Sequence, residues 1–153
     1  MPENSQLRQD LRLRLKHAEL RPVYTVAEQR RRLSNQLQQL TDWALVQGRD
    51  NLAQAIILRL LTPRGELAAL GHPQYGSRLP ELIGTRNTAT NRNLIKLYIL
   101  ESLKQEPRIA QVEAIAVTAD PVMRDRVNVV LSVLPIDSRI PLTIGPFALE
   151  LAP

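Results

Sequence analysis

The sequence predicts an α+β protein in which a small antiparallel β-meander packs against two to three helices, preceded by a basic N-terminal extension of one strand and one helix. Two segments, residues 52–61 and 91–105, have apolar side chains at helical spacing. Three strand-like runs separated by short polar turns follow at residues 112–118, 127–136 and 140–151. We therefore expect an extension over residues 1–41 and a core domain over residues 42–153.

The composition fits one ordinary globular domain. The chain has 153 residues, of which 44% are hydrophobic and 23% are charged, so extensive disorder is not expected. It contains one Trp, one Phe and three Tyr, which means that Leu, Ile, Val and Ala must build the core. The absence of cysteine excludes disulfides, thiolate metal ligands and cysteine nucleophiles. The polar start is unlike a secretory signal, and no apolar run approaches the roughly 20 residues of a membrane-spanning helix.

The N-terminal part of the chain is basic. Residues 1–64 hold eleven Lys and Arg against six Asp and Glu, so the whole excess charge of +5 lies there. Residues 11–17, LRLRLKH, alternate between leucine and basic side chains as a half-buried strand does. Thr25 and Glu28 form a capping-box pattern ahead of an apolar stripe, which predicts a helix over residues 26–40. The basic strand face is expected to be solvated, to meet an acidic partner, or to be donated to a neighbouring sheet.

The arginine triplet at residues 30–32 is a weak indication of nucleic-acid binding. On the predicted helix these three side chains spread around the axis and form no single patch. No aromatic residues alternate with them to stack on bases. We therefore predict protein partners and no nucleic acid.

The sequence shows no complete catalytic or metal-binding motif. His17 and His72 are the only histidines, and neither has acidic neighbours at ligand spacing. We therefore predict no catalytic residue, no metal site and no cofactor. Glu66 and Glu81, in the loop-rich residues 62–84, are the one enzymatic alternative, because a pair of carboxylates can hydrolyse glycosides. A structural ion pair with a nearby arginine explains either carboxylate more simply.

Several short motifs in an ordered set resemble one known family. In chain order, the set comprises Asn51 and Gln54 on a helix, Leu61-Thr62-Pro63 with Gly65-Glu66, Tyr75-Gly76-Ser77, and Glu106-Pro107-Arg108 directly before a strand. Over roughly residues 42–135 the chain resembles the lysozyme-like baseplate wedge proteins, the sheath initiators of contractile phages, type VI secretion systems and extracellular contractile injection systems. The first forty residues lie outside this common core.

The resemblance implies a structural protein of a contractile injection machine and no enzymatic activity. Relatives hold paired wedge subunits in the baseplate, and the first sheath ring is laid on their small sheet. The implied partners are baseplate wedge proteins and the sheath protein, with tube or hub proteins as further candidates, and six copies around a central tube. The implied place is a phage tail-like particle assembled in the cytoplasm, without membrane insertion. A peptidoglycan hydrolase acting during cell-wall penetration is the alternative.

The Glu-Pro-Arg corner (residues 106–108) is the first candidate docking site. Pro107 disfavours helical geometry at Glu106, so the second core helix must end there. Arg108 offers a planar donor fork for carboxylates or carbonyl groups, and Glu106 can orient it or accept from a partner's amides. The resemblance assigns Glu106, Pro107 and Arg108 to wedge contact. An internal Glu–Arg pair at a helix stop is the structural alternative.

Further docking candidates lie in the loop-rich segment and in the last strand. Arg64 and Arg78 are expected on the wedge-facing surface, and Tyr75 either holds its loop against the central helix or contacts a partner. The last strand contains Pro141 and Pro146, which interrupt the row of backbone donors, so we expect it at an edge of the sheet. An edge strand can pair with an incoming sheath chain.

Overall fold

The computed structural model describes residues 9–15, 24–32, 39–136 and 138–152. Within these ranges there are two α-helices, α1 (Gly48–Leu61) and α2 (Ala89–Leu103), and neither is long and apolar enough to cross a bilayer. The strands, in chain order, are β1 (Gln9–Leu11), β2 (Leu13–Leu15), β3 (Tyr24–Val26), β4 (Glu28–Arg32), β5 (Gln39–Trp43), β6 (Leu45–Gln47), β7 (Ile109–Ala119), β8 (Arg126–Pro135) and β9 (Leu142–Glu150).

The predicted β-meander is confirmed. Strands β7, β8 and β9 form an antiparallel sheet in that order, so β8 is central and β9 lies at an edge, as expected. The helix-facing side chains of β8 are completely buried, and they are Val127, Val129, Leu131 and Val133. The side chains that α2 contributes to the same core include Ile95, Ile99 and Leu103. The core is aliphatic, and burying each such side chain stabilises the fold by about 1.5–3 kcal/mol.

Helix α1 is the central helix that its largely apolar sequence predicts. One of its faces buries aliphatic side chains at successive turns, namely Leu52, Ile56 and Leu60. The same helix also buries three polar residues, Asn51, Gln54 and Arg59. Buried polar groups need hydrogen-bond partners. Gln54 finds them in the N-terminal extension, and Arg59 finds one at the Glu-Pro-Arg corner.

The extension is a three-way junction of two-stranded ribbons. β1 pairs with β6, β2 with β3, and β4 with β5, all antiparallel. Where the ribbons meet, Arg12 N donates to Ala44 O, Ala44 N donates to Ala27 O, and Ala27 N donates to Arg12 O, at 2.7–2.8 Å. This closed ring pairs backbone groups at the point where the three ladders separate.

Gln54 ties this junction to the core. Its side-chain amide donates to Leu11 O at 2.8 Å, and its oxygen accepts from Leu13 N at 2.9 Å. The side-chain amide of Gln54 thus bonds the two backbone groups that flank Arg12, as the backbone of a neighbouring strand would. Gln54 therefore holds the extension by its backbone atoms, and an ion pair at 3.6 Å between Arg12 Nη2 and Asp50 Oδ2 joins it to α1 as well.

The predicted helix over residues 26–40 is wrong for all of its described residues. Residues 26–32 lie in β3, in β4 and in the link between them, and residues 39–40 begin β5; residues 33–38 lie outside the described ranges. β4 pairs with β5 from Glu28 opposite Trp43 to Arg32 opposite Gln39. The apolar stripe favoured a helix, but pairing of β4 with the next strand, β5, overrides weak helical propensity.

The remaining prediction for the extension is confirmed in part. The strand expected over residues 11–17 is present as the end of β1 and as β2, while residues 16 and 17 lie outside the described ranges. A boundary between residues 41 and 42 falls within β5. The division into an extension and a core domain remains a prediction.

Helix α2 lies close to its predicted limits of residues 91–105. Thr88 is the N-cap, and its Oγ1 accepts from Asn91 N at 3.2 Å. The helix ends at Leu103, slightly earlier than expected, and two turn residues lead to the Glu-Pro-Arg corner. Strand β7 begins directly after that corner, so the corner is the whole connection between the last helix and the meander.

Candidate functional site

The Glu-Pro-Arg corner is a tight turn at the start of β7. Ile109 N donates to Glu106 O at 3.1 Å, which closes a β-turn with Pro107 at its second position, where the fixed φ of proline fits. On the sheet side, Ile136 N donates to Arg108 O at 2.8 Å. Backbone hydrogen bonds therefore hold both ends of the corner, and Pro107 is exposed on it.

The carboxylate of Glu106 is buried between two arginines, with 4% of its side-chain surface exposed. Its Oε1 accepts from Arg108 Nε at 2.7 Å, and its Oε2 accepts from Arg108 Nη2 at 3.2 Å and from Arg59 Nη2 at 3.3 Å. A buried carboxylate is unfavourable unless it is paired and hydrogen-bonded. Two guanidinium groups meet that requirement, and they leave this group of side chains with one net positive charge.

Arg59 is the site residue that sequence reasoning missed. It lies in the last turn of α1, and its side chain is 9% exposed. The central carbon of its guanidinium lies 4.5 Å from the centroid of the Tyr75 ring, within cation–π range. Burial raises the pKa of the Tyr75 hydroxyl, so the ring stays a neutral phenol. An arginine inside an otherwise apolar helix was the available signal, since buried arginines are almost always paired.

Arg59, Tyr75, Glu106 and Arg108 form the corner cluster, and the loop that carries Tyr75 is fixed to both helices. Ser77 Oγ donates to Leu60 O at 2.6 Å, and Ser102 Oγ donates to Gly76 O at 2.9 Å. Both serines are almost completely buried. The loop is therefore held against the central helix, as one of the two expectations for Tyr75 requires, while partner contact by Tyr75 remains a prediction.

Arg64 and Arg78 lie outside the corner cluster, in separate ion pairs. Arg64 Nη1 lies 2.6 Å from Glu101 Oε1. Arg78 Nη2 lies 2.9 Å from Glu81 Oε2, and its guanidinium stands 4.3 Å from the centroid of the Tyr98 ring. The structure thus brings three of the six sequence-predicted docking residues together through Arg59. It leaves Arg64 and Arg78 with partners of their own and Pro107 exposed on the turn.

The two carboxylates of the enzymatic alternative do not face one another in a common site. Glu66 is exposed and lines an apolar cleft of about 440 Å³, in which it is the one acidic lining residue among the described residues. Glu81 is occupied by Arg78, whose hydrogen bond lowers the pKa of the Glu81 carboxyl. A general acid in glycoside hydrolysis needs the opposite, a raised pKa.

Substitution of Gly76 should separate steric overlap from backbone strain. Gly76 has φ +102°, and a Cβ there would overlap Thr62 O and lie 2.9 Å from the Pro63 carbonyl carbon. Gly76→Ala is expected to lower the free energy of unfolding by about 3 kcal/mol or more, measured by denaturant titration. The control is Gly71→Ala, at φ +85° with open space around the added atom, which should lose only about 1 kcal/mol. Equal losses would show that the close approach to Thr62 does not matter.

Acidification should weaken the fold through Glu106. Burial raises the pKa of its carboxyl, but the hydrogen bond from Arg108 and the charges of Arg108 and Arg59 outweigh burial, so the pKa lies below its ordinary value of 4.5. A lowered folded-state pKa gives stability that is present above the unfolded-state value and is lost as pH falls through the folded-state value.

The variant Glu106→Gln is therefore expected to lose about 3 kcal/mol at pH 7, because both arginines lose their anion, and to show a smaller further loss between pH 5 and pH 3. Thermal and denaturant unfolding at several pH values measure both effects. Glu113→Gln, on the exposed face of β7, is the matched control and should behave as the unmodified chain. An unaltered acid profile in Glu106→Gln would contradict this account of the cluster.

Comparison with known proteins identifies the family. A family model of the contractile injection system sheath initiator matches residues 29–137. No curated protein gives a significant match. Among solved structures, the chain is similar in fold to a Geobacter sulfurreducens protein provisionally designated a tail lysozyme, solved at 1.44 Å resolution, with 20% identity and a TM-score of 0.52 over 67% of this chain and 90% of that one. Because the family model covers more than half of the chain, the chain belongs to the contractile injection system sheath initiator family and has a role in the baseplate of such a system.

Proposed function

We propose that this chain joins wedge subunits of a baseplate through the Glu-Pro-Arg corner and starts the sheath through the edge strands of its meander. The observation that carries the proposal is the geometry of Arg108. Two side-chain hydrogen bonds to Glu106 fix its guanidinium, while 21% of its side chain remains exposed. A preorganised, partly exposed arginine is a typical anchor residue of protein interfaces.

The three residues of the corner have different roles in this proposal. Arg108 uses Nε and Nη2 on Glu106, and its Nη1 has no hydrogen-bond partner among the described residues. That edge of the guanidinium is left for a carboxylate or carbonyl group of a wedge protein. Pro107 supplies rigid apolar surface beside it. Glu106 is buried, so it acts by orienting Arg108 more than by direct contact.

Arg64, Tyr75 and Arg78 extend the same proposed surface. Arg78 is the more accessible of these two arginines, with 41% of its side chain exposed against 22% for Arg64. Its guanidinium is already paired with Glu81 and stacked on Tyr98. An exposed ion pair of this kind contributes little free energy. We therefore expect Arg108 to contribute more to wedge binding than Arg78 does.

The meander has two edges that could contact the sheath, and β7 is the better suited of the two. β7 has eleven residues and pairs with β8 alone among the described strands. Its residues 114–119, AIAVTA, contain no charge and no proline, the features with which proteins protect exposed edges. β9 has nine residues and is interrupted by Pro146, so it offers a shorter row of backbone donors.

The proposed role is structural and involves no catalysis. Glu66 stands exposed beside an apolar cleft, and Glu81 is held in an ion pair, so neither environment tunes a carboxyl group for acid catalysis. Nothing in the two positions supplies a matched acid and nucleophile. Hydrolysis of purified peptidoglycan by this chain, abolished by Glu66→Gln, would overturn this part of the proposal.

The partners in this proposal are the wedge proteins and the sheath protein, with tube or hub proteins as further contacts and no nucleic acid. Six copies surround a central tube, and assembly takes place in the cytoplasm. The sheath-initiator family supports contact with sheath and baseplate components. Candidate wedge and sheath proteins for both experiments below are to be sought among the products of the neighbouring genes.

Loss of the Arg108 guanidinium should prevent wedge assembly without unfolding the chain. Arg108→Ala is expected to weaken binding to co-expressed wedge proteins by at least tenfold, as truncation of an interface anchor commonly does. Pull-down followed by calorimetry measures it. Arg126→Ala is the control, because Arg126 has a similar exposed fraction and an ion pair with Glu150 at the other end of β8. Full binding by Arg108→Ala would refute the role of the corner.

A charge on the free edge of β7 should block sheath initiation. Ala116 is exposed in the middle of the uncharged run, and Ala116→Lys gives the edge strand a charged side chain of the kind with which proteins discourage pairing at exposed edges. We expect baseplates that assemble normally but carry no sheath when viewed by electron microscopy. The matched control Thr143→Lys, on an exposed position of β9, should allow sheath growth. Sheath on the first variant and none on the second would assign initiation to β9 instead.

A further inference from the structure

We propose that Arg59 is a positioning residue for wedge docking: it holds the carboxylate of Glu106 and, through that carboxylate, directs Arg108 towards the partner. This inference rests on the proposed function of the Glu-Pro-Arg corner. It adds a residue that lies in a different element, far from the corner in sequence. It also gives Tyr75 a role, since the Tyr75 ring holds the Arg59 guanidinium.

The hydrogen bonds of the Glu106 carboxylate indicate which residue sets its orientation in the fold. Arg108 contacts both oxygens, but Arg108 and Glu106 are two residues apart in one turn. The backbone N of Arg108 also donates to Oε1, at 3.4 Å, so these bonds orient the carboxylate relative to its own turn. Arg59 shares Oε2 with Arg108 and comes from 47 residues earlier in the chain. Among the described residues, it is the one side chain of another element that bonds this carboxylate, and thus it sets the carboxylate's orientation in the fold.

Arg59 is itself held on three sides. It lies in the last turn of α1, where the helix dipole favours a positive charge. Its guanidinium lies over the Tyr75 ring at 4.5 Å and within 3.3 Å of Glu106. Because these contacts fix the Arg59 side chain, they also fix the Glu106 carboxylate that it holds.

Fold stability alone is a poor explanation for this arginine. Its Nε is buried without a hydrogen-bond partner among the described groups, which is unfavourable. Its neighbours on α1 are aliphatic, and removal of one buried ionic partner is strongly destabilising chiefly when it leaves the other charge uncompensated. Glu106 would still retain Arg108 as its counter-ion. An arginine at this position is therefore better explained by its effect on Arg108.

The test is a double-mutant cycle on wedge binding. Calorimetry is carried out on the full chain with the wedge proteins for the unmodified chain, Arg59→Met, Arg108→Ala, and Arg108→Ala/Glu106→Gln with and without Arg59→Met, with Arg126→Met as the control. Arg59→Met is expected to weaken binding about five- to tenfold, and the control should bind normally. The Glu106→Gln change is needed because loss of both arginines would leave a buried carboxylate without a counter-ion. In that background, Arg59→Met should have no further effect, because its action passes through Arg108. Additive losses, or no loss in Arg59→Met, would overturn the inference.

A second measurement needs no wedge partner. The Nε–H proton of Arg108 is hydrogen-bonded to Glu106, so we expect it to exchange slowly with water and to give a ¹H–¹⁵N signal separate from those of exposed arginines. In Arg59→Lys, which keeps the charge but loses the planar fork, exchange should become at least fivefold faster while the β8 amides remain protected. Unchanged exchange in this variant would refute a positioning role even if Arg59→Met did not fold.

Wedge binding by Arg108→Ala and by Arg59→Met distinguishes failure of this inference from failure of the proposed function. If the unmodified chain and Arg108→Ala bind wedge proteins equally, the corner is not the docking site and the proposed function is wrong there. If Arg108→Ala loses binding and Arg59→Met retains it, the corner is the docking site and Arg59 does not position it.

Discussion

The burial of one carboxylate connects the elements at the end of the molecule where docking is proposed. Glu106 remains charged where little water reaches it, so a positive group must accompany it. Arg108 supplies one from the same turn, and Arg59 supplies a second from the last turn of α1. The ring of Tyr75 lies against Arg59 and brings its loop to the same place. Around this one carboxylate, α1, this loop, the end of α2 and the start of β7 meet.

The same arrangement connects the two proposed docking surfaces. Strand β7 begins directly after Arg108 and provides the uncharged edge over residues 114–119. Hydrogen bonds from Ile109 N to Glu106 O and from Ile136 N to Arg108 O hold the strand at both sides of the corner. No flexible linker separates the wedge-facing arginine from the strand edge. On the proposed function, a few residues of regular backbone connect a wedge subunit to the first sheath strand.

The elements whose apolar pattern is clear within one segment were predictable, and the features defined by pairing or packing with another segment were not. Helices α1 and α2 and the three meander strands have a clear period of apolar residues within each segment. The extension has no such independence, because β4 is defined by its pairing with β5, and a chance helical stripe over residues 26–40 was stronger than the strand signal. The site follows the same rule. The Glu106–Arg108 pair spans two residues and was foreseen as a possibility, whereas Arg59 approaches Glu106 only through tertiary packing.

The two proposed surfaces use different physical interactions, and this difference suits a machine whose parts rotate. At the corner, charge-assisted hydrogen bonds from a fixed guanidinium depend strongly on angle, so they set one orientation of the wedge subunit. At the edge of β7, backbone pairing depends on the spacing of peptide groups and tolerates changes of side chain and twist. A rigid, angle-dependent contact towards the baseplate and a compliant contact towards the sheath would let the sheath subunits turn during contraction. The contact with the baseplate would keep its orientation meanwhile.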